Sequence, residues 1–118
     1  MKKIEAYVKP QKLSEVSMAL RRVPGLSGMS VSDIRGWGRG KQQADQRDRA
    51  QQASAFDQHT KIEIVCADRL LDEVVEAIQR AARTGLVGDG QILVSTVEWV
   101  VRISTGERCT EAIDGETE

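Results

Sequence analysis

The strongest constraint on the fold is a change of hydrophobic period that occurs twice, in the same order, along the 118 residues. Ile4, Ala6 and Val8 alternate with Lys3, Glu5 and Tyr7, which is the pattern of a strand with one buried face. Leu13, Val16, Ala19, Leu20 and Val23 then follow helical spacing until Pro24-Gly25 stops it. Met29, Val31 and Ile34 mark a second strand whose alternation Asp33 interrupts and which closes at Gly36-Trp37-Gly38. The order then repeats. Ile62, Ile64 and Cys66 alternate between Thr60 and Cys66, and Asp68 is placed to N-cap a helix carrying Leu71, Val74, Val75, Ile78, Ala81 and Ala82, with Gly85 as its stop. Ile92-Leu93-Val94, followed by Val97, Trp99, Val101 and Ile103 at period two, read as a final strand.

Strand, helix, strand, repeated, predicts an α+β chain with the ferredoxin-like βαββαβ order: an antiparallel sheet with two helices on one face. Two helices cover one side of the sheet only, yet Val65, Val94 and Val100 read as facing away from the main core. A second apolar face predicts self-association. The length allows one core, so residues 1–108 are expected to form one domain and 109–118 a flexible acidic tail. Between Gly40 and Ala55 the only apolar side chains are alanines, too little burial to offset ordering entropy. A long mobile loop over about 37–59 is therefore expected between strands two and three.

Seventeen basic and eighteen acidic residues leave a net charge of −1, so no general attraction to nucleic acid or anionic lipid is expected and any anion site must be local. The N-terminal residues lack an apolar secretory core, and no stretch is long enough to span a bilayer, which predicts a cytoplasmic protein without membrane insertion. Cys66 in an apolar run and Cys109 in a polar one form neither a zinc pattern nor a disulfide framework. Lys61-Ile62-Glu63-Ile64-Val65 has no aromatic on which a base could stack, which argues against an RNA-binding sheet. The sole histidine, His59, has no serine or cysteine partner in a motif and no carboxylate pair stands out, so no catalytic or metal centre is expected.

Two segments combine open backbone with polar chemistry. Ala82 to Ile92 holds Gly85, Gly88 and Gly90 between a helix end and a strand, an arrangement that either aims amides at phosphate oxygens or simply makes a tight turn. Gly36-Trp37-Gly38-Arg39-Gly40-Lys41 is either an anion cradle or the solvated start of the loop. Arg102, near Arg108, adds a guanidinium suited to phosphate or carboxylate.

The segments Met1-Lys2-Lys3-Ile4-Glu5-Ala6, Val8-Lys9-Pro10, Gly36-Trp37-Gly38-Arg39, Lys61-Ile62-Glu63-Ile64-Val65, Ala81-Ala82-Arg83-Thr84-Gly85, Gly88-Asp89-Gly90, Arg102-Ile103 and Thr105-Gly106-Glu107 resemble, in order, the PII signal-transduction family over nearly the whole chain. The resemblance implies a homotrimer with an adenine nucleotide in each intersubunit cleft and a T-loop from Trp37 to His59. By position it implies Gly36, Gly38 and Arg39 at the loop base, Glu63 and Val65 near the adenine, and Gly88, Asp89, Gly90 and Gln91 along the phosphates. Arg102 would reach across from a neighbouring subunit.

Four departures stand out. Gly40 replaces a glutamine that helps bind magnesium and 2-oxoglutarate in the family's nitrogen sensors, His59 and Gln91 replace lysines, and Ser104 replaces an arginine. Tyr7 is the only tyrosine, so the loop has none to uridylylate. Each charge-assisted hydrogen bond lost at the outer phosphates is worth about 1.5–3 kcal/mol, so AMP or ADP is expected to be favoured over ATP. The departures imply a divergent PII-like regulator in which AMP or ADP and a small anion such as bicarbonate order the loop around Arg39, Lys41 and His59. Such a regulator would be linked to inorganic carbon or carboxysomes and would act through the T-loop on a transporter, a carboxysome component or an enzyme. The alternatives are a nitrogen-regulatory PII protein binding MgATP and 2-oxoglutarate, and a small phosphatase-like enzyme on the same fold.

Overall fold

A computed structural model of the chain describes residues 1–37 and 57–111. Gly38, Arg39 and Lys41, with most of the expected loop and the end of the expected tail, lie outside the described residues. Four strands, β1 (Lys2–Val8), β2 (Ser30–Gly36), β3 (Asp57–Cys66) and β4 (Gln91–Thr96), form one antiparallel sheet in the order β2-β3-β1-β4. Helices α1 (Leu13–Arg21) and α2 (Leu71–Ala82) each start from a short 3₁₀ turn, the first opened by Pro10, which fits the first turn of a helix because it needs no amide donor there.

Alternation in the strands and the 3.6-residue period in the helices converge on one core. Ile4, Ala6 and Val8 of β1 and Ile62, Ile64 and Cys66 of β3 are buried against Val16 and Leu20 of α1 and Val74, Ile78 and Ala82 of α2. The register sets Ile4 opposite both Ile64 and Val94, and Glu5 opposite both Glu63 and Leu93. Helix-side and open-side residues therefore align across the three strands. The expected ferredoxin-like α+β fold is present, with the helices on one face of the sheet.

Six local expectations change. β3 begins at Asp57 rather than Thr60, because Asp57, Gln58 and His59 pair with Gly36, Arg35 and Ile34 of β2, which shortens the loop expected over 37–59. β4 stops at Thr96, where the Val97 amide bonds the Met1 carbonyl oxygen at 3.1 Å. The apolar residues that continue its period belong to a separate hairpin, β5 (Val100–Val101) and β6 (Arg108–Cys109). That hairpin is closed by Arg102 N to Glu107 O at 2.9 Å and Gly106 N to Arg102 O at 2.7 Å, and the Arg108 guanidinium lies 4.9 Å from the Trp99 ring centre. Arg102 thus sits in a turn rather than on the last sheet strand, and Cys109 is paired rather than in a tail. Val94 aligns with the helix side through Ile4, not with the open face, and Asp68 makes no cap hydrogen bond but pairs with the Met1 ammonium at 3.0 Å.

Candidate functional site

The turn joining α2 to β4 is built around the Asp89 carboxylate. Its Oδ2 accepts hydrogen bonds from the amides of Thr84 at 2.9 Å and Gly85 at 3.0 Å. Its Oδ1 accepts from the Thr84 hydroxyl and lies 3.2 Å from Lys9 Nζ. Lys9, which follows β1, also donates to Thr84 Oγ1 at 3.0 Å, and the Leu86 amide donates to the same oxygen at 3.1 Å. The Thr84 hydroxyl is thereby used as one donor and two acceptors, its whole capacity. The Thr84 hydroxyl above all, then the two amides and Lys9, hold the Asp89 carboxyl well below its ordinary value against the opposing effect of desolvation. Asp89 faces into the turn, so what the segment offers a ligand is backbone.

Gly88 and Gly90 both adopt positive φ, +89° and +99°. At Gly90 a β-carbon would lie 1.6 Å from the Tyr7 carbonyl oxygen, so only glycine lets the turn lie against β1. Close backbone approach is the property a phosphate-binding turn requires.

A cavity of about 640 Å³ opens beside this turn on the sheet face opposite the helices. Gly88, Asp89, Gly90 and Gln91 line one side of it, and Gly36, Trp37, Asp57 and His59 line the other. Tyr7, Ile34, Val87 and Leu93 supply its apolar surface. The volume suits a ligand of nucleotide size, with an apolar wall and a few convergent polar groups. The His59 Nε2 atom is 3.4 Å from the Gly88 carbonyl oxygen, which joins the two sides.

Glu63 and Val65, also expected at the site, lie along the same open face but outside the cavity wall. Glu63 belongs to a charged lattice in which Lys3 pairs with Glu5 at 3.0 Å and with Glu63 at 3.7 Å, and Lys61 pairs with Glu63 at 3.0 Å and with Glu5 at 4.0 Å. The Lys3 hydrogen bond lowers the Glu5 carboxyl, and the Lys61 hydrogen bond lowers that of Glu63. Val65 and Leu93 are exposed beside this lattice. Arg102 is in the β5–β6 turn and does not line the cavity of its own chain.

Lys9 and Thr84 carry the turn yet were not singled out by sequence reasoning as site residues. The signal was available in the Lys9-Pro10 strand end and in a threonine at the helix C-terminus, but pairing across 75 residues is a tertiary fact. Among the described residues no group of three or more His, Cys, Asp or Glu side chains is placed to hold a metal ion. No helix among the described residues is long and apolar enough to cross a membrane.

A family profile described as "Nitrogen regulatory protein P-II" matches residues 1–107. The chain is 50% identical over 113 residues to a nitrogen regulatory protein P-II of Microchaete diplosiphon. It is 49% identical to that of Nostoc punctiforme and 48% identical to that of Bradyrhizobium diazoefficiens, each over 113 residues. Each comparison covers 96% of this chain and 100% of the relative.

Proposed function

Because this chain belongs to the nitrogen regulatory protein P-II family, we propose that it is a cytoplasmic nitrogen-regulatory signalling protein that binds an adenine nucleotide in the cavity beside the Gly88-Asp89-Gly90 turn. The family is one of regulatory proteins, and this chain is a regulator rather than an enzyme. The observation that carries the nucleotide reading is the turn itself, a preformed backbone cradle whose own carboxylate is turned inward. The relatives described above are nitrogen regulatory proteins, which supports the nitrogen role and gives no support to the expected link with inorganic carbon, bicarbonate or carboxysomes.

The working unit we propose is a homotrimer in which the open sheet face is covered by neighbouring copies, bringing Arg102 of one copy towards the cavity of the next. Exposed Val65 and Leu93 on that face support this arrangement. The segment between β2 and β3 would then contact a target protein. A preference for AMP or ADP over ATP is favoured by one observation: Gln91, an uncharged amide, lines the cavity at the end of the turn.

Isothermal titration of the full chain with AMP, ADP and ATP, with and without magnesium and 2-oxoglutarate, tests the reading. The expected result is saturable binding of all three, tighter for AMP or ADP than for ATP, with MgATP binding strengthened by 2-oxoglutarate. Absence of binding by all three would overturn it.

A further inference from the structure

We propose that Lys9 is a positioning residue that lets the cavity accept an anion: held behind the Gly-rich turn, it neutralises the Asp89 carboxylate that stands in the cavity wall. The proposal rests on the nucleotide reading of the same cavity and adds to it the group that sets the charge of the wall.

That wall is unfavourable to phosphate as it stands. Among the described residues that line it, Asp57 and Asp89 are carboxylates and none is a lysine or arginine. The Asp89 side chain keeps 27% of its surface exposed even though both its oxygens are engaged in the turn. Hydrogen bonds from the Thr84 hydroxyl and from the Thr84 and Gly85 amides favour the ionised carboxyl. They do not remove its charge. Neutral donors orient a carboxylate and replace its water, whereas its field on a neighbouring anion is cancelled only by a cation. A phosphate against the backbone of this turn would meet that field at a range where salt screens it weakly.

Lys9 supplies the cancelling charge from the far side. Its Nζ atom lies 3.2 Å from Asp89 Oδ1 and 3.0 Å from Thr84 Oγ1, and its side chain is 16% exposed. The stem runs beneath the turn, since a β-carbon at Gly88 would lie 3.7 Å from Lys9 Cε. Lys9 does not itself line the nucleotide cavity, so it takes no space from a ligand. Its direction of departure is fixed locally. Lys9 has extended backbone, φ −64° and ψ 137°, and the ring of Pro10 disfavours the helical alternative for the residue before it.

Holding the shape of the turn and setting its charge are separable roles. If only shape matters, every contact removed from the Lys9–Asp89 pair weakens binding, and removing both weakens it most. If charge matters, the order reverses. Lys9→Met leaves the pair with a net negative charge, Asp89→Asn leaves it with a net positive one, and wild type and the double variant have none.

The test is calorimetric titration of these four full-length chains with ADP, at low salt and at about 0.5 M salt. At low salt Lys9→Met is expected to bind ADP about tenfold more weakly than wild type, the scale of one uncompensated charge beside a multiply charged ligand. Asp89→Asn is expected to bind about threefold more tightly than wild type, and Lys9→Met/Asp89→Asn within about threefold of it. The second substitution thus recovers most of what the first loses. High salt should narrow the spread, because the pair is partly exposed. A double variant that binds no better than Lys9→Met, or a spread independent of salt, would overturn the proposal while leaving nucleotide binding intact. Should Lys9→Met not fold, wild type and Asp89→Asn decide alone, and weaker ADP binding by Asp89→Asn at low salt would overturn it. Failure of ADP to bind wild type would overturn the nucleotide reading and this proposal with it.

Discussion

Substituting Gly85 and Gly90 by alanine separates two demands that one turn makes on glycine. Both residues have positive φ, +81° and +99°, a region where an L side chain costs about 1–2 kcal/mol. At Gly85 a β-carbon would meet nothing within 4 Å, so Gly85→Ala should destabilise the chain by about 1 kcal/mol, the backbone term alone. At Gly90 the same carbon would be 1.6 Å from the Tyr7 oxygen and 2.8 Å from its carbonyl carbon. Real contacts do not fall below 3.0 Å, so the turn must retreat by about 1.4 Å from an obstacle that is backbone and has no rotamer to yield. The retreat acts on Tyr7 and Gln91, the outermost pair of the β1–β4 ladder, and adds a strained or broken pairing to the backbone term. Gly90→Ala should therefore cost about 3–5 kcal/mol. Urea unfolding of the two variants beside wild type measures both numbers, and nucleotide titration should show the larger loss at Gly90. Equal destabilisation by the two substitutions would refute the reasoning, since only one of them meets the Tyr7 carbonyl.

Three further outcomes are expected. Asp89→Asn should lower the melting temperature at neutral pH and flatten its fall in acid. A carboxyl held below its ordinary value of 3.8 in the folded chain contributes stability that is whole above that value and is lost as the pH falls towards the lowered one, so equal slopes below pH 3.8 would count against the turn assignment. Gln91→Lys should tighten ATP about five- to tenfold and AMP less than about twofold, as read by calorimetry, because the added cation acts at the outer phosphates; a uniform gain would count against it. Val65→Asp places a carboxylate on the open sheet face and, if the proposed trimer forms through that face, should shift the mass measured by light scattering from that of the wild type towards that of a monomer, whereas a mass unchanged from wild type would remove that face from the interface.

The legible part of this fold is the part where one residue's environment follows from its near neighbours. Ile4, Ala6 and Val8, or Val74, Ile78 and Ala82, announce their buried faces by period alone, and the structure buries all six. Period two fails after Thr96 because a short hairpin and the continuation of a strand produce the same alternation, and only the Val97 amide bonding to Met1 O distinguishes them. The early start of β3 was hidden for the opposite reason. Asp57, Gln58 and His59 are polar, and their pairing with β2 is backbone hydrogen bonding that carries no hydrophobic signal. At the site, glycine spacing identified the turn. That Asp89 works inward, with Lys9 as its counter-ion, depends on β1 and the α2–β4 connection meeting in space.

The lattice of Lys3, Glu5, Lys61 and Glu63 has a kinetic consequence. Two charges of each sign alternate within 4.0 Å of one another, so their fields cancel at distances well inside the screening length of about 8 Å at physiological salt. This face does not steer an approaching molecule from afar. Encounter there proceeds at an ordinary, weakly salt-dependent rate, and a wrong partner is distinguished from a right one only after touching, by how soon it leaves.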